Sequence, residues 1–220
     1  MKLIKPGYVI VSDINSEKIL KGIEYAGRTC YKSEEKITEE SAKEFVKMII
    51  KRGHESVLEH EKITIKIICD RGVSHELVRH RIASFSQEST RYCDYSKDKF
   101  DNQVSFIIPL WLDLEENTNY EITVPSKDPK MIWLRAMSRA EIDYFRLIGF
   151  GKWSPQQARS ILPNSLKTEV VITANLREWR LIFKQRTAKA AHPQMREIMC
   201  PLLDELKTKL SIFFDDINYD

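Results

Sequence analysis

Within fourteen residues the chain places three arginines, a histidine, an amide and serine and threonine hydroxyls: Arg79-His80-Arg81-Ile82-Ala83-Ser84-Phe85-Ser86-Gln87-Glu88-Ser89-Thr90-Arg91-Tyr92. The planar guanidinium fork meets phosphate or carboxylate with two parallel hydrogen bonds. Hydroxyls, together with backbone N–H groups in an irregular turn, complete a phosphate cradle. Two arginines alone would read as a solvated, salt-bridged face. Here Arg79, Arg81 and Arg91 are interleaved with Phe85 and Tyr92, which favour burial, and a guanidinium buried without an anion is costly. The segment therefore predicts a small phosphorylated ligand.

A second cluster is His54-Glu55-Ser56-Val57-Leu58-Glu59-His60. Metalloprotease helices carry two histidines four residues apart on one face. Six residues on a helix rotate the second histidine by about 240°. On a strand the two would share a face but lie roughly 20 Å apart. One zinc ion bridges neither arrangement, so no metal site is expected. Cys30, Cys69, Cys93 and Cys200 are scattered, with no C-x-x-C pair, which argues against a zinc ribbon and a disulfide framework and fits a reducing cytoplasm.

The arginine-rich segment fits R-H-R-x-x-S-x-x-x-x-S-x-R-Y at all seven fixed positions. It resembles the signature of flavin-dependent thymidylate synthases. The resemblance extends through His54-Glu55-Ser56, through Ala158-Arg159-Ser160-Ile161-Leu162-Pro163, and through Asn175-Leu176-Arg177 followed by Arg186 and His192, covering roughly residues 50 to 195. It implies reductive methylation of dUMP to dTMP, with 5,10-methylenetetrahydrofolate as carbon donor, FAD as hydride carrier and NADPH as reductant. It assigns dUMP to Glu76, Leu77, Val78, Arg79, Gln87, Glu88, Ser89, Thr90, Arg91, Arg159 and Arg186. It assigns FAD to Ser56, Arg79, His80, Arg81, Asn175, Leu176, Arg177, Leu181 and His192. It also implies a homotetramer with active sites at subunit junctions, so that the 87–91 segment serves a neighbour's site.

Arg186 is then the catalytic residue, stabilising negative charge on the uracil so that C5 becomes nucleophilic; such electrostatic help is worth most in a dry site. Cys93 reads as structural, since this family needs no thiol. Ser89 reads as a ligand-positioning residue, because no histidine with a carboxylate partner is evident beside it to remove its proton. Three departures stand out. Glu76 occupies a position where many members carry Gln, Leu181 one where others carry an Asn, and Lys189-Ala190 resembles a small insertion before His192.

These residues need elements to position them. Strands are expected at Tyr8–Val11, Lys62–Cys69, Val104–Leu110 and Glu169–Ala174. In the second, Ile63, Ile65, Ile67 and Cys69 alternate with Lys62, Thr64, Lys66 and Ile68. Helices are expected from Ser16 towards Tyr25, from Thr38 to Gly53, over Val73–Arg81 entered through Ser74, over Met131–Leu147, from Ser154-Pro155 to Pro163, over Leu176–Thr187, and over Pro193–Phe213 with a bend at Pro201. Phe85–Tyr95 reads as loop or irregular strand, and Asn117–Lys130 as a surface connection. The expected architecture is one α+β domain over 1–220, a central, mostly antiparallel twisted sheet flanked by helices.

The 220 residues suffice for a sizeable core, and 42% hydrophobic against 30% charged residues is an ordinary globular balance. A net charge of only +3, with Glu76, Glu88 and Asp94 interrupting the basic cluster, argues against the rival reading of a nucleic-acid-binding module stacking bases on Tyr92 and Tyr95. A further rival, a flavoprotein of this family with altered activity, is suggested by Glu76 and Leu181. No stretch has the length of a signal-peptide core or a membrane span, so a cytoplasmic protein without membrane contact is expected.

Overall fold

A computed structural model describes residues 1–219. Its elements, in chain order, are β1 (Lys2–Ile4), β2 (Gly7–Ile10), α1 (Ser16–Tyr31), α2 (Ser41–Lys51), β3 (Lys62–Asp70), α3 (Arg71–Leu77), β4 (Ala83–Gln87), β5 (Ser105–Ile107), α4 (Pro129–Gly149), α5 (Pro155–Ala158), β6 (Lys167–Asn175), α6 (Leu176–Arg186) and α7 (Pro193–Phe214). The class is α+β. One sheet is ordered β2-β3-β6-β4, and a second pairs β1 with β5 in parallel. Strands β3 and β6 run antiparallel. Leu176 N donates to Glu61 O at 2.9 Å, and three residues onward in one strand and back in the other, the Thr64 and Thr173 hydroxyls meet at 2.9 Å.

The described residues form two compact units. The first comprises Met1–Gly7, Ile68–Leu77 and Ser86–Val170, and the second Tyr8–Ile67, Val78–Phe85 and the chain from Val171 onward. In the first, Leu3, Val104, Phe106, Leu134 and Tyr144 gather into one apolar cluster. In the second, α6 supplies the centre. Trp179 and Phe183 stack with centroids 5.6 Å apart, and Phe183 meets Phe214 of α7 edge-on at 5.6 Å. The Trp179 indole N–H donates to Ile63 O of β3 at 3.0 Å, so its burial leaves no orphaned donor.

The alternation expected in β3 is present: Ile63, Ile65, Ile67 and Cys69 are all at most 1% exposed. Several boundaries differ for local reasons. Asn15, not Ser16, caps α1, its side chain accepting from Lys18 N. The second helix starts at Ser41, not Thr38, because the Ser41 hydroxyl accepts from Thr38 N and donates to Thr38 O, which closes a turn first. Asp70, not Ser74, opens α3, taking Val73 N at 2.7 Å, and the helix ends at Leu77, not Arg81. Pro129, expected in the connection, is the first residue of α4, with Asp128 as its cap. Ser154 and Gln157 form the capping box of α5. The interruption in α7 lies at Leu210 (φ −139°, ψ 45°), not at Pro201.

Candidate active site

The nucleotide-facing candidates of the first unit converge on the end of β4 and the turn after it. Gln87 points inward, its amide donating to the Ser74 hydroxyl at 3.0 Å and to the Thr168 hydroxyl at 3.2 Å. The Glu88 backbone N–H donates to Glu169 O, which holds the turn against β6. The Glu88 carboxylate takes Lys167 Nζ at 2.9 Å and the Tyr95 hydroxyl at 3.3 Å. Burial alone would lower the Lys167 pKa, but the Glu169 and Glu88 carboxylates outweigh it and hold the ammonium charged. The Ser89 hydroxyl accepts from Arg91 N at 3.3 Å, closing a tight turn. Arg159, 69 residues away in sequence, donates to the Thr90 hydroxyl at 3.1 Å. Two separately expected dUMP segments are thereby brought together.

Arg79, Arg81 and Arg91 are exposed rather than buried, and Tyr92 is 76% exposed, so the apolar residues beside them do not force a buried cation. Arg91 instead lies over the Tyr92 ring at 5.4 Å. Within α3, Glu76 is half-buried and Leu77 is buried; Val78, after the helix, is exposed. Burial, reinforced by the Glu88 charge, pushes the Cys93 thiol pKa up, which opposes thiolate formation.

The flavin-facing candidates lie in the second unit, around α6. Its inner face, Leu176, Trp179, Ile182 and Phe183, is buried, which fixes the rotation of the helix. Arg177, Leu181 and Lys184 therefore share the outer face at helical spacing. They line a cleft of about 320 Å³ with Asn175, Ile82, Glu55, Glu59, Glu178 and Arg180. Asn175 is the cap of α6, its side-chain oxygen taking Glu178 N at 2.8 Å. Arg177 Nη1 pairs with Glu59 at 2.6 Å in a half-exposed contact. Ser56 is exposed on the 3₁₀ turn Glu55–His60, a conformation that is neither the helix nor the strand considered for the histidine pair. His54 Nδ1 instead meets the Tyr31 hydroxyl at 2.6 Å. Ser56, Arg81 and His192 do not line the cleft.

His80 and Arg186 meet beside this cleft, although 106 residues separate them. Arg186 Nε donates to His80 Nε2 at 3.0 Å. On the other side of the ring, His80 Nδ1 lies 3.3 Å from Glu178 Oε1, and both side chains are 5% exposed. Burial, with the Arg186 charge second, pulls the His80 pKa down from 6.5 to about 4, so the imidazole is neutral at neutral pH. Burial likewise raises the Glu178 pKa.

Arg180 and Glu178 escaped the sequence analysis. Arg180, 2% exposed, holds Asp216 with two nitrogens at 2.6 and 2.7 Å and Glu55 at 3.2 Å, and it donates to Phe213 O. A signal existed: Arg180 falls four residues after Leu176 and three before Phe183, on the apolar face of α6. Glu178 carried no such mark, because an acid in the first turn of a helix is ordinary.

Residues 14–210 match the family model described as thymidylate synthase complementing protein. A flavin-dependent thymidylate synthase of Pyrococcus furiosus is 33% identical over 185 residues, which cover 84% of this chain and 70% of that one. One of Mycobacterium avium is 30% identical over 200 residues, 88% of this chain and 78% of that one. The crystal structure of the UMP/dUMP methylase PolB from Streptomyces cacaoi, bound with 5-Br dUMP, superposes with a TM-score of 0.73, covering 98% of this chain and 96% of that one at 20% identity, a likeness of fold. With a matching family model over most of its length and such relatives, the chain belongs to the thymidylate synthase complementing proteins, the family of the flavin-dependent thymidylate synthases.

Proposed function

We propose that this chain is a flavin-dependent thymidylate synthase that converts dUMP to dTMP, taking its one-carbon unit from 5,10-methylenetetrahydrofolate and its reducing equivalents from NADPH. Residues 1–220 act as one synthase domain. The observation that carries the reading is the hydrogen bond from Arg186 to neutral His80. It fixes one nitrogen of the guanidinium at the end of a helix whose rotation the core dictates. A cation held in that way stabilises developing negative charge on a pyrimidine without reorganising at the moment of reaction.

The α6 cleft fits part of FAD. Its volume lies at the lower end of the roughly 300–1,000 Å³ common for ligand sites, enough for one ring system of a dinucleotide. Ile82 and Leu181 offer apolar surface, while Arg177 and Lys184 offer charge to a phosphate. Leu181, unusual for the family, thus supplies packing where an amide would supply a hydrogen bond. When bound, FAD would carry the hydride that completes the methyl group. Asn175, Leu176 and Arg177 at the start of α6 would hold it, with Ser56, Arg79, His80, Arg81, Leu181 and His192. His80 would contribute its ring face or carbons, because both nitrogens face Arg186 and Glu178.

The 87–91 turn, Arg159 and the stretch Glu76 to Arg79 would bind dUMP. Gln87 and Glu88 shape this turn through their inward contacts, Ser89 and Arg91 would hold the phosphate, and Arg159, which donates to Thr90, would contact the base. In a homotetramer this turn would serve a neighbouring subunit's site. The test is the anaerobic visible spectrum of the purified protein with NADPH and dUMP, followed by dTMP analysis after addition of methylenetetrahydrofolate. Flavin bands that bleach, with dTMP formed, support the reading. Arg186→Ala should keep the flavin bands and lose the product. A colourless protein that takes up no added FAD refutes it.

A further inference from the structure

We propose that Glu178 is the positioning residue for Arg186, acting through His80: the buried carboxylate sets the tautomer of the imidazole, and the imidazole sets the plane of the guanidinium. The inference rests on the reading of Arg186 as the residue that polarises the pyrimidine.

Arginine has five N–H donors and no acceptor. Arg186 Nε lies 3.0 Å from His80 Nε2 in hydrogen-bonding geometry, so that ring nitrogen is bare. A neutral imidazole then carries its proton on Nδ1, and the group facing Nδ1 is Glu178 Oε1 at 3.3 Å. In the opposite tautomer a proton on Nε2 would confront the Nε–H of Arg186, donor against donor. Deprotonation of arginine in proteins is ruled out by its basicity, so the chain Glu178–His80–Arg186 transfers no proton. Its work is orientation.

The three residues come from the two ends of α6 and the segment preceding β4. Glu178 stands in the first turn of α6 and Arg186 is its last residue. The helix alone sets their separation, and His80 bridges it from outside. Glu178 and His80 are each 5% exposed, so water does not compete well for either partner. The Asn175 cap engages the Glu178 backbone N–H and leaves its side chain to this role.

Two substitutions test the proposal. Glu178→Ala removes the acceptor opposite Nδ1, and Glu178→Gln keeps an amide oxygen there with similar volume. With selectively ¹⁵N-labelled histidine, the His80 signals of the parent should report a neutral ring protonated at Nδ1. In Glu178→Ala the Nε2-protonated form should become populated. A loosened guanidinium should cost about 100-fold in kcat, while KM for dUMP stays within about threefold. Glu178→Gln should retain the Nδ1 tautomer and most of kcat, and the Ala and Gln variants should both melt cooperatively. In an Arg186→Ala background, Glu178→Ala should cause no further loss in residual rate.

An Nε2-protonated His80 in the parent, an unchanged tautomer in Glu178→Ala, or a loss confined to KM or FAD affinity would each overturn the assignment. Full activity of Arg186→Ala itself would instead defeat the reading of Arg186, and the NMR result would still report on the Glu178–His80 contact. The two failures are therefore separable.

Discussion

His80 is held neutral in a place where acid should destabilise the fold, and the size of that effect follows from its surroundings. Its pKa falls from an ordinary 6.5 to about 4, through burial first and the Arg186 charge second. Between those values the unfolded chain binds a proton on this ring and the folded chain does not. Stability from this residue is therefore complete above pH 6.5, declines as pH falls towards about 4, and changes no further below that. At about 1.4 kcal/mol per pH unit, the whole interval amounts to about 3 kcal/mol. His80→Gln removes the titration while keeping a polar side chain. Its baseline stability will be lower, since Arg186 and Glu178 lose their shared partner, but its pH slope should be shallower. The assay is urea unfolding of both proteins at fixed concentration across pH 7 to 4, because an oligomer's apparent stability depends on concentration. The parent should lose about 3 kcal/mol more than the variant over that range. Parallel curves would refute the reasoning. They would mean that the Glu178 carboxylate stabilises the imidazolium enough to cancel burial, in which case His80 would not accept from Arg186.

Other outcomes follow from the same geometry. Cys93→Ala should remain active in dTMP formation, since burial and the Glu88 charge hold the thiol protonated; complete loss would revive a thiol mechanism. Arg180→Ala should cost about 3 kcal/mol in denaturant unfolding, the lower end for breaking a buried ion pair, because Asp216 is half-exposed and keeps some of its water. A cost below about 1 kcal/mol would show the network to be ordinary surface pairing. Gly27→Ala should lower the melting temperature although alanine favours helix, because the added Cβ would sit 2.5 Å and 2.8 Å from carbons of the Phe45 ring. A higher melting temperature would show that the α1–α2 contact yields freely.

Much of this protein was legible before any coordinates. The alternation Ile63, Ile65, Ile67 declared a half-buried strand because side chains of a strand alternate strictly between its faces. Ser154-Pro155 declared a helix start because proline's fixed φ and missing N–H suit that position alone. The family emerged from seven side chains at fixed spacing, since local sequence order carries a binding turn intact. Boundaries were less secure where two capping side chains competed, as with Asn15 against Ser16 and Asp70 against Ser74. Distance in sequence hid the rest. Nothing in the local pattern says that Arg159 reaches Thr90, that Lys167 answers Glu88, or that Glu178, His80 and Arg186 form one chain of contacts. The same limit misled the argument for buried arginines. Phe85 and Tyr92 suggested that Arg79, Arg81 and Arg91 would leave solvent, yet burial is set by what packs against a segment from elsewhere, and the arginine that is buried is Arg180. Residue types and spacing determined the chemistry available to this chain; which groups meet, and in which protonation state, was decided only when the core fixed the rotation of α6 and brought the His80 segment beside it.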